Sequence, residues 1–407
     1  MPATKATATW VVRRLAGEGH RALFAGGCVR DMLLGRRCTD YDVATDATPQ
    51  QVKRLFGHVL LIGAKFGVAM VLHRGRKVEV TTFRSDWSYS DGRRPDGVRY
   101  TTPQEDAKRR DFTINGIFYD PLTREVIDYV KGQADLAAGV VRTIGRPDER
   151  FAEDYLRMLR AARFAAALDF SIERRTASAV RKYAPKITSI SGERIFDELS
   201  KMLSLASAAL ALVMMEELAL APQILPELFA GAGLWKAAVR RAKALAGRRD
   251  LRLVMAGLLA ELPAPQIRRI TRRWGASNDL RDELCFLAGH LDGWQTAGEV
   301  SLAQFKRLLA GPYFGRLRRL WTLREQLTTG GSSCARRITR RARKIPADKI
   351  APPPLVTGSD LLAIGLEEGP RFGQILTALY DAQLNETLTT RRAALRAARE
   401  RIRRTET

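Results

Sequence analysis

The sequence predicts an α+β fold, with a mixed sheet and helices in residues 1–148 and an all-helical remainder. Short β-branched runs alternate with helical segments up to about residue 145, a pattern typical of a sheet covered by helices. After Arg150, leucine, alanine and arginine dominate and the β-branched runs disappear. The chain has 407 residues, of which 45% are hydrophobic, so it has globular composition and enough length for two to four domains.

The same patterns predict individual elements. In the first part, strands are predicted at 22–25, 41–43, 68–73, 78–83 and 126–129, and a helix at 50–55. In the second part, the longest helix is predicted at 149–168 and another at 193–203, where Ser191 is a candidate N-cap. Residues 205–221 are apolar but interrupted by two glutamates, which predicts a buried helix and not a membrane span.

Further breaks divide the helical part. Segments rich in proline, glycine or serine lie at 262–265 and 330–333, and residues 351–354 predict a linker before a final helical unit. With the change at Arg150, the sequence predicts four consecutive parts: 1–148, 149–224, 225–350 and 351–407.

Positive charge is concentrated in the third of these parts. The whole chain carries 68 Lys and Arg against 44 Asp and Glu, a formal net charge of +24. Residues 231–350 contain 25 Lys and Arg against 9 Asp and Glu, a net of +16. Solvated helix faces are one explanation, but a surplus of this size favours a surface for an RNA backbone, because neutralised phosphates release counterions.

The cysteines and histidines argue against a zinc site or a disulfide scaffold. Cys28, Cys38, Cys285 and Cys334 form no CxxC pair, and the four histidines lack ligand spacing, so no zinc is expected. Free thiols fit a reducing compartment, and no secretory signal is visible in the sequence. We therefore expect a cytoplasmic protein with no membrane partner.

The first chemical motif is the pair Gly26-Gly27 with Arg30, placed after a predicted strand. Glycines let a backbone approach a phosphate, and a guanidinium meets it with a charged fork, although a simple turn is the alternative. Further along, the side chains of Asp40 and Asp42 would share one face of a strand. Two adjacent carboxylates repel, so the pair predicts a divalent cation, and Mg²⁺ is the ion that combines carboxylate and phosphate ligands.

Other polar groups would complete such a site. Glu79 lies in a predicted strand and either joins the metal pair or pairs with a nearby arginine. The segment Arg109-Arg110-Asp111-Phe112-Thr113-Ile114-Asn115 suits the phosphates and ribose of a nucleotide. Asp154, Arg157 and Arg160 are spaced by three on a predicted helix and line one face. This spacing ordinarily means a surface salt bridge, but a carboxylate beside a guanidinium also suits the edge of a base.

Together these motifs resemble the class II tRNA nucleotidyltransferase and bacterial poly(A) polymerase family, within the polymerase-beta superfamily. The resemblance covers about residues 22–200. It rests on segments in a shared order: Gly26-Gly27-x-x-Arg30-Asp31, Asp40-x-Asp42, Arg109-Arg110-Asp111-Phe112-Thr113-Ile114-Asn115, Glu153-Asp154-x-x-Arg157-x-x-Arg160-x-x-Arg163-Phe164 and Glu193-Arg194-Ile195. It implies a nucleotidyltransferase head at 1–148, a neck at 149–224, a body at 225–350 and a tail at 351–407.

The resemblance also implies a role for each site residue. Asp40 and Asp42 would act in catalysis and would bind Mg²⁺. Nucleotide binding would fall to eight residues: Gly27 and Arg30 at the triphosphate, Arg110 and Asp111 at the nucleotide, Asp154 and Arg157 as a protein template for cytosine or adenine, and Arg160 and Arg163 completing the pocket.

The implied substrates are CTP, ATP and the 3′ end of a tRNA, whose acceptor and T arm would contact the helical parts. CCA addition is favoured over poly(A) synthesis or addition of A alone by residues 84–108, which resemble the loop used in switching from C to A. The tail motif that begins at Thr357 favours it as well. A non-catalytic RNA-binding protein that kept the fold is the remaining alternative, and the retained Asp40 and Asp42 argue against it.

Overall fold

The computed structural model describes residues 2–61, 67–87, 97–247, 250–366 and 369–403. Contacts divide the chain into two units, one of Met1–Leu251 with Arg272–Ala276 and one of Arg252–Thr271 with Ser277–Thr407. The four predicted parts stay a prediction. Among the described residues, no helix combines the length and the apolar character needed to cross a membrane.

The strands of the described residues all lie in the first unit, and most of them form one mixed sheet. They are β1 (Ala22–Ala25), β2 (Val43–Thr45), β3 (Val59–Leu60), β4 (Val68–His73), β5 (Arg76–Thr82), β6 (Arg84–Trp87), β7 (Gly97–Tyr100), β8 (Ile117–Tyr119), β9 (Val126–Asp128), β10 (Val140–Val141) and β11 (Ser171–Ile172). The seven-stranded sheet has the order β3-β4-β5-β2-β1-β8-β9. Its one parallel pair is β2 with β5, and β6–β7 and β10–β11 form two small separate sheets.

The mixed sheet and the helical remainder confirm the predicted fold class. Predicted strands 22–25 and 68–73 have the bounds of β1 and β4. The strand predicted at 41–43 instead begins at Val43, so Asp40 and Asp42 lie in the irregular segment before it. The expectation of two aspartates on one strand was therefore wrong in its local geometry. Part of the predicted switching loop, residues 88–96, lies outside the described residues.

Helices of the first unit surround the sheet and extend beyond it. They are α1 (Lys5–Gly17), α2 (Gly27–Leu33), α3 (Pro49–Leu55), α4 (Pro103–Arg109), α5 (Gly132–Ala138), α6 (Pro147–Glu153), α7 (Leu156–Leu168), α8 (Arg174–Tyr183), α9 (Gly192–Leu203), α10 (Ala208–Glu217), α11 (Ala221–Ile224) and α12 (Leu234–Ala246). The core under α1 contains Val11, Val12 and Leu15, none of which has exposed surface. Burying these side chains fixes α1 against the sheet.

The helix predicted at 149–168 is broken, and this corrects the sequence analysis. α6 ends at Glu153 and α7 begins at Leu156, because the backbone of Asp154 is extended, with φ −158° and ψ 105°. The Asp154 carboxylate accepts a hydrogen bond from the Leu156 amide at 3.0 Å, a local turn that competes with the helical ladder. Helical periodicity is the same on both sides of the break and cannot reveal it.

The start of α9 is held close to a neighbouring backbone. A Cβ placed on Gly192 would lie 1.7 Å from the carbonyl oxygen of Arg273, so this position admits no side chain. The ring of Phe196 stacks on Trp274 with centroids 5.5 Å apart. Ser191 is the N-cap residue as predicted, although its side chain makes no capping hydrogen bond. This packing fixes the helix that carries Arg194 and Glu198.

From Leu251 onward the described chain is helical. Its helices are α13 (Leu251–Leu259), α14 (Ala264–Arg273), α15 (Asn278–Gly289), α16 (Leu302–Ala310), α17 (Phe314–Thr329), α18 (Ser333–Arg343), α19 (Gly358–Ala363), α20 (Pro370–Leu384) and α21 (Arg391–Arg403). The predicted breaks at 262–265 and 330–333 contain the starts of α14 and α18. The predicted linker at 351–354 is held against α20, because Tyr380 and Gln383 donate to the carbonyls of Pro352 and Pro353 at 2.9 and 2.8 Å.

Candidate active site

A cavity of about 470 Å³ lies in the first unit between the β1–α2 turn and α7. It is lined by Gly26, Gly27, Arg30, Asp42, Arg109, Arg110, Asp111, Asn115, Asp154, Leu156, Arg157, Arg160, Phe164 and Arg194. An adjoining cavity of about 260 Å³ shares Asp42 and Arg110 with the first and is also lined by Glu79 and Arg84. Segments far apart in the sequence thus meet around Asp42.

Most of the predicted site residues line the larger cavity. They are Gly27, Arg30, Asp42, Arg110, Asp111, Asp154, Arg157 and Arg160. Glu79 lines the smaller cavity, whereas Asp40 and Arg163 are not among the described residues that line either one.

The β1–α2 turn brings backbone and cation together, as the glycine pair predicts. Gly26 has φ +76°, a conformation that favours glycine, and a Cβ there would lie 3.2 Å from an Arg110 nitrogen. Arg30 is 9% exposed and donates through Nη1 to Asn115 Oδ1 and through Nε to Asp31 Oδ1, both at 2.8 Å. Its guanidinium is therefore fixed at the cavity wall before any phosphate arrives.

The carboxylates near the start of β2 are crowded together. Ala25 donates its amide to the Asp42 carbonyl at 3.1 Å, which continues the sheet one residue beyond β2. Val43 pairs with Val80 in the parallel register, so Asp42 and Glu79 each precede a paired residue on neighbouring strands. Burial, reinforced by the negative charges of Glu79 and Asp40 and opposed by Arg110, raises the pKa of Asp42 to about 7. Partial desolvation and the charge of Asp40 raise the pKa of Glu79 too, although its side chain keeps contact with solvent.

This arrangement fits a site for a divalent cation that is completed by a substrate. Within the described ranges, no group of three His, Cys, Asp or Glu side chains has the geometry to hold a metal ion by itself. Mg²⁺ usually takes one or two carboxylates and fills its other positions with water and phosphate oxygens. The crowding around Asp42 is the electrostatic condition that a bound divalent cation relieves.

On the helix side of the cavity, Asp111 is held by several donors. Its Oδ1 accepts from the Phe112 amide at 2.8 Å and from Asn115 at 3.1 Å, and its Oδ2 accepts from Arg160 at 2.6 and 2.8 Å. Burial alone would raise the pKa of Asp111, but Arg160 and the other donors lower it to about 2. This carboxylate thus stays ionised and orients Arg160.

Asp106 orients its two neighbouring arginines in the same way. It is 1% exposed and accepts from Arg109 at 2.7 and 2.9 Å and from Arg110 at 2.9 and 3.1 Å. Although burial opposes it, the charges of Arg110 and Arg109 lower the pKa of Asp106. The sequence analysis missed this residue, but its i,i+3 and i,i+4 spacing from the two arginines was a usable signal.

The two residues expected to face a base lie in the same wall. Asp154 Oδ2 accepts from Arg194 at 2.7 Å. The guanidinium of Arg157 contacts the Glu153 carboxylate and donates to the Arg150 carbonyl at 3.0 Å. Both side chains are therefore oriented by neighbours while they line the cavity.

Arg163 faces away from this cavity and binds Glu198 on α9. Its Nε donates to the Glu198 carboxylate at 2.6 Å, and Arg160 lies 3.8 Å from the same group. Glu198 is 2% exposed, and Arg163 and Arg160 lower its pKa against the effect of burial. Asn115, Phe164 and Arg194 belong to motifs of the sequence analysis, and Glu198 lies close to one. Their positions around the site depend on contacts between segments that are distant in the sequence.

Comparison with known proteins identifies the family of the chain. The Poly A polymerase head domain model matches residues 22–142, and the model for the probable RNA and SrmB-binding site of polymerase A matches residues 169–231. The CCA-adding enzyme of Geobacillus kaustophilus (strain HTA426) is 38% identical over 283 residues, or 69% of each chain. That of Enterococcus faecalis (strain ATCC 700802 / V583) is 37% identical over 318 residues, 74% of this chain and 76% of the relative.

A solved structure extends the likeness to nearly the whole chain. The crystal structure of the Bacillus stearothermophilus CCA-adding enzyme in complex with CTP has a TM-score of 0.80 and 30% identity, and the match covers 98% of both chains. The match to the Poly A polymerase head domain, whose residues include Asp42 and several arginines of the cavity, makes the chain a nucleotidyltransferase. The chain belongs to the CCA-adding enzyme family. This membership argues against the alternative of a non-catalytic RNA-binding protein.

Proposed function

We propose that this chain adds C, C and A in turn to the 3′ end of a tRNA, using CTP and ATP without a nucleic-acid template and releasing pyrophosphate. The observation that carries the proposal is the position of Asp154 and Arg157 in the same cavity as Asp42. The Bacillus stearothermophilus relative is described in complex with CTP, which supports a nucleotide in this cavity.

Asp154 and Arg157 suit cytosine and adenine for the same reason. Both bases present an amino donor next to a ring nitrogen that accepts a hydrogen bond. A carboxylate accepts from the amino group, while a guanidinium donates to the ring nitrogen. Uracil and guanine present a carbonyl where the amino group would be, so the Asp154 carboxylate would face an acceptor. In this proposal the pair therefore selects C and A and rejects U and G.

Asp40 and Asp42 hold Mg²⁺ in this proposal, with Glu79 as a candidate third ligand. When bound, Mg²⁺ lowers the pKa of the RNA 3′ hydroxyl and neutralises the departing pyrophosphate. The protein side chains position the reactants. Arg30 and Arg110 face the triphosphate from fixed positions, because Asp31, Asn115 and Asp106 hold their guanidinium groups. Such fixed charges require little rearrangement when the nucleotide binds.

The RNA partner is proposed from the basic helices. On α18, Arg336, Arg340 and Arg343 are exposed, and the part of the chain that the structure describes shows no ion pair for them. Three solvent-facing cations on one short helix fit a phosphate backbone. We assign the tRNA 3′ end to the head and its acceptor and T arm to the helical body and tail. A tRNA substrate and four free cysteines also favour the cytoplasm.

A poly(A) polymerase or an enzyme that adds only A is the second candidate. The match to the Poly A polymerase head domain favours keeping it, because the head alone does not distinguish the products.

The experiment uses tRNA shortened by its last three, two or one nucleotides, with labelled CTP and ATP supplied singly and together. Addition of C, C and A, with termination after A, is expected. An Asp42→Asn variant serves as the inactive control. A long A tract, or addition restricted to A on a tRNA that already ends in CC, would contradict the proposal and select the second candidate.

A further inference from the structure

The two aspartates of the proposed metal pair are held in different ways. Asp42 is partly buried, and its main chain is bonded to β1. Asp40 is exposed and belongs to an irregular segment, so no strand fixes it. Its carbonyl accepts from the Cys38 thiol at 2.9 Å, and its carboxylate Oδ1 accepts from the backbone amide of Ala3 at 3.0 Å.

The amide of Ala3 is itself firmly placed. The Ala3 side chain is 2% exposed, and the Pro2 carbonyl accepts from Arg76 at 3.3 Å. The next residue, Thr4, caps α1 by accepting the Thr7 amide. In α1, Trp10 stacks on His73 of β4 with centroids 3.7 Å apart. The donor thus belongs to a helix that is packed on the sheet, and this helix precedes the matched head domain, which begins at residue 22.

We propose that residues 2–4 belong to the active site, where the Ala3 amide positions Asp40 as a Mg²⁺ ligand. The inference rests on the proposed function of the aspartate pair. A hydrogen bond to Oδ1 fixes the rotation of the carboxylate and leaves Oδ2 and the second lone pair of Oδ1 for the cation. Because Asp40 is exposed and outside the sheet, its carboxylate would otherwise sample several orientations, and ordering it would weaken metal binding.

The test removes the donor in two ways. Ala3→Pro lacks the backbone N–H, and an amide-to-ester replacement of the Pro2–Ala3 bond, made by semisynthesis, puts an ester oxygen in place of the N–H and keeps the Thr4 cap of α1. Ala3→Gly keeps the N–H and is the matched control. Mn²⁺ binding to the free full-length protein is followed by the electron paramagnetic resonance signal of unbound Mn²⁺. The Mg²⁺ concentration for half-maximal CTP incorporation is measured in parallel.

Both donor-free variants are expected to bind Mn²⁺ about fivefold more weakly, because the freed Asp40 side chain must then be ordered when the ion binds. They should need a similarly higher Mg²⁺ concentration, while Ala3→Gly behaves as wild type. Equal Mn²⁺ affinity in wild type and both variants would overturn the inference, as would a change confined to the KM for CTP. A wild-type protein that adds no C or A would refute the proposed function instead, and the Mn²⁺ comparison would still be readable.

Discussion

The helix side and the sheet side of the proposed nucleotide site differ in how their charges are balanced. On the helix side, the carboxylates face arginines: Asp106 faces Arg109 and Arg110, Asp111 faces Arg160, and Asp154 faces Arg194. On the sheet side, Asp40, Asp42 and Glu79 form no ion pair within the described part of the chain, and the pKa of Asp42 rises to about 7.

This difference indicates that the carboxylates of the helix side support the structure, whereas those of the sheet side are proposed to act in the reaction. Paired carboxylates hold their arginines in place, so the helix side keeps its shape without any ligand. On the sheet side, Arg110 and Arg84 offset only part of the negative charge, and in the proposed function a metal ion balances the rest. Substitutions on the two sides should therefore have opposite effects on stability and activity.

The largest expected effect is the loss of activity in Asp42→Asn. Without this carboxylate, incorporation of CTP should fall by at least about 10³-fold, because metal binding supplies several kcal/mol to the transition state. Metal-free Asp42→Asn at pH 8 should melt at or above the wild-type temperature, since a desolvated carboxylate among like charges is removed. Rapid-quench incorporation and thermal melting measure the two effects. A lower melting temperature together with full activity would show that Asp42 supports the structure and not the reaction.

On the helix side, Asp111→Asn should lower stability. The change leaves the Arg160 guanidinium without its closest carboxylate in a largely buried site, which costs about 2–3 kcal/mol in the free energy of unfolding. Urea unfolding measures the loss. The control is Asp148→Asn, which breaks an exposed pair with Lys182 and should leave unfolding unchanged. Equal behaviour of the two variants would show that Asp111 adds nothing to the shape of the cavity.

The pH dependence of the same pair sharpens this test. The pKa of Asp111 is about 2 in the folded protein, whereas the ordinary aspartate pKa of 3.8 applies to the unfolded chain. A carboxylate whose pKa is lowered by folding stabilises the folded protein above about pH 4. This stabilisation disappears as the pH falls toward 2. The difference in unfolding free energy between wild type and Asp111→Asn should therefore narrow by about 2 kcal/mol across this window. A constant difference would mean that Asp111 acts through packing and not through its charge.

Next in size is the effect on nucleotide choice. Asp154→Ala and Arg157→Ala should each reduce the preference for C and A by about 10- to 100-fold, the range expected for one well-placed pair of hydrogen bonds. RNA binding should change little. Single-turnover competition between CTP and UTP measures the preference, and Arg142→Ala is the control, because Arg142 pairs with Asp135 and does not line the cavity. Unchanged preference in both variants would place the reading of the base elsewhere.

The smallest effect is expected for the exposed arginines of α18. Replacing Arg336 and Arg340 on α18 with glutamine should weaken tRNA binding modestly and reduce the salt dependence of log K by about one to two units. Binding is measured at several salt concentrations. Arg337→Gln is the control, since Arg337 pairs with Glu299 at 3.2 Å. An unchanged slope in the double variant would make this helix an ordinary solvated surface.

Much of the fold was predictable because it follows from local patterns. β1 and β4 have their predicted bounds, and α9 begins within one residue of its prediction. The strands that escaped prediction include β3, β10 and β11, which have two residues each. Strands this short carry no periodicity of their own and are defined by the partners that bond to them. The break at Asp154 was not predicted for a similar reason, since the Oδ2 atom of Asp154 accepts a hydrogen bond from an arginine 40 residues away.

The sequence alone determined which chemical groups are present and roughly where they lie, because motif order, strand alternation and helical spacing are local properties. Only the tertiary structure decided which groups meet. Arg160 reaches Asp111 across 49 residues, Arg30 reaches Asn115 across 85, and the Ala3 amide reaches Asp40 across 37. These contacts depend on how helices pack against the sheet, and the packing free energy is shared among many distant side chains, so no short segment encodes them.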